Sequence, residues 1–145
     1  MEFLNQFHVH LLHPKVIHFP IALFLGAMGM EVLSLIFQKD NLHRTAFHMY
    51  ILATVLTPLV VLTGLQEAEH LHLNHPVLTI HRNFALLTMG GSLGSLPIFW
   101  LAKKKGEKEI RTVFIFFLLM LAALVSVTGY NGGRMVYEYD IGVEH

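Results

Sequence analysis

Two of the eleven histidines in this 145-residue chain stand at the heads of long apolar stretches, His18 and His81. On a helix turning about 100° per residue, His18, Ala22, Leu25 and Gly29 share one face. His81, Ala85, Thr88, Ser92 and Ser95 share another. Each face carries an imidazole near one end and mostly small side chains below it. A flat macrocycle between helices needs an imidazole for its metal and little bulk along its ring. Haem iron takes axial histidine readily, and bundle cofactor sites are built from side chains on facing helices. The spacing therefore predicts a b-type haem with His18 and His81 as its first ligand pair.

Other side chains near these two have readings of their own. His13, before Pro14, and His70, after "GLQEAE", are candidates for a second haem or for hydrogen bonds to the first ligands. His13 and His18 are five residues apart, about 140° around a helix, so one metal would not easily take both. Arg82, Arg134 and Lys15 are placed to pair with haem propionates or with lipid phosphate. In "HLHLNHP", His72 and His75 offer an alternative copper or zinc site, since imidazole suits both metals. Glu31 lies within an apolar stretch, where a carboxylate is costly unless paired; it is expected to relay protons or to bond another helix. Glu67 and Glu69 lie near enough to the histidines to orient an imidazole or to act as ordinary interfacial charges.

The elements that position these groups are legible from composition. The chain is 54% hydrophobic and only 14% charged, against roughly 25% charged in soluble domains. The deficit falls in four segments, about 16–37, 45–66, 80–102 and 110–131, each near the roughly 20 residues that cross a bilayer core. Isolated spans of this kind must be helical. Short connections predict an all-α, integral membrane four-helix bundle in a single domain covering 1–145, with no internal repeat standing out. Pro58 and Pro97 predict kinks, with Thr54 placed to serve the carbonyl that Pro58 frees. Gly90 and Gly94 predict close helix packing. Gly129, Gly132 and Gly133 predict a tight exit from the fourth span.

Charge supplies orientation. Lys39, Arg44, Lys103, Lys104, Lys105, Lys108 and Arg111 fall after spans 1 and 3 or at the starts of spans 2 and 4, whereas the opposite ends carry only Lys15, Arg82 and Arg134. The positive-inside rule puts the first group in the cytoplasm and both termini on the outer, periplasmic side. Nine histidines then fall at the outer end, and His43 and His48 at the inner end. The acidic N-terminal stretch does not read as a cleavable signal. Zero net charge gives no sign of nucleic-acid binding. The lack of cysteine excludes disulfides, iron–sulfur clusters and c-type haem attachment. No G-x-S-x-G or H-E-x-x-H motif points to a hydrolase.

"LHPKVIHFPIAL" (12–23), "IHRNFALL" (80–87) and "GGRMVYEYDIGV" (132–143) resemble the signature blocks of the small membrane proteins grouped as domain of unknown function 2231. The likeness runs from about residue 10 to 143. It implies a four-helix membrane module, and its histidines, matching His13, His18 and His81, imply haem or redox-metal binding. The histidines of "EHLHLNHP" depart from that pattern. The combined expectation is a multi-pass protein of a bacterial inner membrane carrying one or two haem b groups. It would act as an electron-transfer or anchor subunit rather than a stand-alone enzyme. Its partners would be the lipid bilayer, a redox protein or quinone on the outer side, and a homo-oligomer or larger membrane complex. A copper- or zinc-handling, transport-associated protein and a cofactor-free structural subunit are the alternatives.

Overall fold

A computed structural model describes residues 12–70 and 74–141. The elements are helices: α1 (Leu12–Val16), α2 (His18–Phe37), α3 (Asp40–His70), α4 (Pro76–Lys103) and α5 (Glu107–Tyr137), with no strand among the described residues. α2 to α5 are each long and apolar enough to cross a membrane. They correspond to the four segments read from the sequence but extend past them, because polar ends such as Asp40–Arg44 and Gln66–Glu69 stay helical beyond the apolar run. At 1.5 Å per residue, the 31 residues of α3 reach about 46 Å, well past a hydrocarbon core of about 30 Å.

Local chemistry sets the turns. Gln38 closes α2 in the left-handed region (φ 52°), its N–H bonding the Ser34 carbonyl. Ser34 Oγ donates to Lys39 O (3.1 Å), and Asp40 opens α3 two residues on. Gly106 (φ 147°) makes the turn between α4 and α5 in backbone space that side chains rarely enter. His75 caps α4: its Nδ1 accepts the Val77 N–H (3.2 Å), and Pro76 occupies the first turn, where a missing N–H costs nothing.

Such short links force antiparallel neighbours. α2 packs on α3, α4 on α5, and the two hairpins close into a ring through α2–α5 and α3–α4. The centre is aromatic: the Tyr50 ring lies 5.5 Å from Phe24, 5.5 Å from Phe99 and 5.4 Å from Phe114, and its hydroxyl donates to Ser95 Oγ (2.8 Å). Ala27, Ala46, Ala53 and Ser92 supply the small contacts that let the rings converge. Large side chains such as Leu59, Leu87, Trp100 and Phe116 point outward, as a surface solvated by lipid tails requires.

α3 and α4 stay helical through Pro58 and Pro97. Other sequence expectations are corrected here. The Thr54 hydroxyl bonds Tyr50 O (2.9 Å), one turn before the carbonyl that Pro58 frees. A Cβ added at Gly90 or Gly94 would meet nothing, so that pair faces outward; tightly packed glycines lie elsewhere, Gly26 against Met49 among them. α5 does not exit at its glycines but continues through them to Tyr137.

Candidate cofactor site

A cavity of about 340 Å³ opens at the end of the bundle where α1, the C-terminal turns of α3 and α5 and the first turns of α4 meet. His13, His18 and His81 all line it, with Glu67 and Arg82. Gly64, Ala68, Ala85, Gly129, Gly132 and Gly133 keep its walls thin.

The two histidines whose rings come together are His13 and His81. Their ring centroids are 6.4 Å apart and their planes stand at 86°. His81 is buried on the α4 face read from the sequence, with Thr88, Ser92 and Ser95 beneath it. Its Nδ1 lies 2.9 Å from the Thr128 carbonyl of α5. His13 sits on α1, which packs against α3, and its Nδ1 lies 3.0 Å from the Val60 carbonyl and 3.2 Å from Thr63 Oγ1. A carbonyl only accepts, so in both rings Nδ1 carries the proton and donates. Each ring, when neutral, then keeps its lone pair on Nε2. Burial holds the His13 pKa below its ordinary value; the bond to Val60 pulls the other way, and the neighbouring His81 adds to the lowering. His13 is thus kept neutral, the form that ligates metals.

His18 does not share this arrangement. It lines the cavity but is exposed, and the face proposed for it (Ala22, Leu25, Gly29) points away from the bundle core. α2 buries Pro20, Phe24, Ala27, Glu31 and Ser34 instead. The reason is Glu31: it must face inward, and His18, thirteen residues earlier, lies roughly 140° from it around the helix. Of the pair read from the sequence, His81 is buried at the cavity and His18 is exposed, and the ring that stands beside His81 is that of His13.

The remaining candidates fall elsewhere. Arg82 is exposed on the cavity wall. Arg134 is taken up by Glu138 (2.8 Å) and the Tyr139 hydroxyl (3.0 Å). His75 uses Nδ1 as a helix cap, accepting the Val77 N–H; the Tyr139 ring lies against it at 4.4 Å, tilted by 46°. The side chain of His70 and all of His72 lie outside the described residues. Among the described residues, no three His, Asp or Glu side chains are grouped to hold a bare metal ion. At the opposite end of the bundle, Glu31 is almost wholly buried and takes His43 Nδ1 (2.7 Å) and Arg111 Nε (3.0 Å), while Arg111 also donates to Ser34 Oγ (2.9 Å).

His13 and His81 are a donor pair that would suit a b-type haem, whose iron takes histidine readily. Sequence reasoning placed His13 behind His18 and missed Gly64 and Gly132, which lie against the two rings. One signal was available: "HPKVIHFPIAL" and "HPVLTIHRNFAL" are two His-Pro-led segments, each with a second histidine and an Ala-Leu pair. Even that weak repeat aligns His18, not His13, with His81.

Fold and cavity define the class: a four-helix membrane-spanning protein with a paired-imidazole cavity at one end. The family described as "Predicted membrane protein (DUF2231)" matches residues 9–145, and the chain belongs to it, as the motif resemblance implied. No match was found among curated proteins or among solved structures.

Proposed function

We propose that this protein is a membrane cytochrome b, with one haem held in the cavity by His13 and His81. One observation supports this reading above the others: two imidazoles, each hydrogen-bonded through Nδ1 to a carbonyl of a different helix, stand with ring centroids 6.4 Å apart at a shared apolar cavity. Haem bound there would supply one-electron transfer. The residues do the rest. His13 and His81 offer Nε2 lone pairs whose orientation is set by Val60 and Thr128. The glycine and alanine walls would admit a flat ring. Arg82, on the cavity wall, would supply a cation for a propionate.

By the positive-inside rule the lysine-rich end lies in the cytoplasm. His13 and His81 would then hold the haem toward the outer face of a bacterial inner membrane, where a redox protein or a quinone would be the electron partner. Such a protein serves as an electron-transfer or anchor subunit.

The test is metal and porphyrin analysis of protein made in haem-replete cells and purified in mild detergent. Stoichiometric haem iron is the expected result. Copper or zinc without haem supports the metal-handling alternative, and neither metal nor porphyrin supports a structural subunit; both overturn the cytochrome.

A further inference from the structure

We infer that Gly64 and Gly132 are positioning residues, each forming a seat that holds one imidazole by its Nδ1 and leaves its Nε2 without a hydrogen-bond partner among the described residues. The two histidines are held in the same way. His13 Nδ1 donates to the carbonyl of Val60, four residues before Gly64 on α3; His81 Nδ1 donates to the carbonyl of Thr128, four residues before Gly132 on α5.

The spacing has a physical cause. In an α-helix the carbonyl of one residue already accepts the N–H four residues on, so a second donor must approach beside that later residue. There the Cα–Cβ bond tilts toward the helix N-terminus, over the same carbonyl. A side chain would cover the lone pair the imidazole needs, and glycine leaves it open. A Cβ at Gly64 would lie 2.7 Å from His13 Cε1 and 3.0 Å from both ring nitrogens, so the ring occupies the space of a side chain. At Gly132 the Cβ would be 3.2 Å from His81 Cε1 and 3.4 Å from Nδ1, a tighter fit than usual but one a small shift relieves. The seats thus differ in strictness: that of His13 admits no side chain unless the ring moves away, and that of His81 admits a methyl group at the cost of a few tenths of an ångström.

Because a ring so seated keeps its proton on Nδ1, the ligand tautomer is set before any cofactor binds. Preorganised ligands of this kind lose less freedom on loading. The link to haem rests on the cytochrome reading; the seats do not.

The experiment uses the full-length, haem-free protein in detergent with ¹⁵N-labelled histidine, and reads the ring-nitrogen shifts of His13 and His81 by long-range ¹H–¹⁵N NMR. The wild type is expected to show both rings protonated at Nδ1 and bare at Nε2. Gly64→Ala should move His13 to a mixture of tautomers and leave His81 unchanged. Gly132→Ala should give a smaller shift confined to His81. Gly90→Ala, where an added Cβ meets nothing, should change neither. If Gly64→Ala does not fold, Gly132→Ala carries the test, since its strain is slight. Unchanged ring nitrogens at His13 in a folded Gly64→Ala protein, or at His81 in Gly132→Ala, overturn the seats. In haem-loaded protein, Gly64→Ala should convert part of the low-spin signal to high-spin. A wild type without haem would defeat the cytochrome while the NMR result still decides the seats.

Discussion

The imidazoles of His13 and His81 face one cavity with centroids 6.4 Å apart and planes nearly perpendicular, although 68 positions of sequence separate them. Each is bonded to a helix other than its own, so the pair exists only when α1 docks on α3 and α4 on α5. A ligand bridging the two rings would tie one helical hairpin to the other.

His18, exposed at the same cavity, is expected to be dispensable for cofactor binding. His18→Ala should retain a full complement of haem with unshifted bands, measured by the absorbance ratio of haem to protein. Loss of haem in that variant would restore His18 as a ligand in place of His13.

Acid should loosen the His13 end of the molecule. His13 has a lowered pKa in the folded protein, mainly through burial, so as pH falls the unfolded chain takes up this proton first. Its contribution is therefore complete above the ordinary histidine value of 6.5 and is lost as pH drops below it toward the lowered native value. Thermal unfolding of haem-free protein should show Tm decreasing over that interval, and His13→Gln should flatten the decrease. Equal slopes in the two proteins would contradict a buried, neutral His13.

Glu31 holds α2 to α3 and α5 through His43 and Arg111. Glu31→Gln removes the charge and turns one of the two acceptor oxygens into an amide donor, so that one of the two partners, His43 or Arg111, loses its acceptor. Both partners keep some exposure, so the expected loss is about 1–3 kcal/mol, below that of a fully buried pair. Denaturant or thermal unfolding in detergent measures it, and a variant as stable as the wild type would show the cluster to be stabilising nothing.

Orientation has a clean test because the chain contains no cysteine. Lys105→Cys and Asn74→Cys each place one thiol at an exposed site at opposite ends of the bundle. A membrane-impermeant maleimide applied to intact spheroplasts should label the second and reach the first only after permeabilisation. The reverse pattern would invert the proposed topology.

The spans and the buried face of α4 were legible in the sequence for a definite reason. His81, Thr88, Ser92 and Ser95 are polar or small at helical spacing, so only one face can be interior. α2 carries no such contrast: Ala22, Leu25 and Gly29 are as apolar as Phe24 and Ala27. Glu31 was the one residue able to set its rotation, and the sequence reading did not use it that way. His13 was undervalued because α1 is a separate short helix ending at Val16; angles measured along α2 say nothing about where it points. The glycine seats were hidden for a further reason: a contact to a backbone carbonyl leaves no pattern of side-chain types.

The central claim is that one iron sits between His13 and His81. Its most direct test is the reduced-minus-oxidised visible spectrum of the purified wild type, His13→Ala and His81→Ala proteins. The account predicts sharp low-spin α and β bands and a Soret shift in the wild type, with those features lost or turned high-spin in both variants. Low-spin bands that persist unchanged in either variant, or a wild type without any porphyrin absorption, would contradict it.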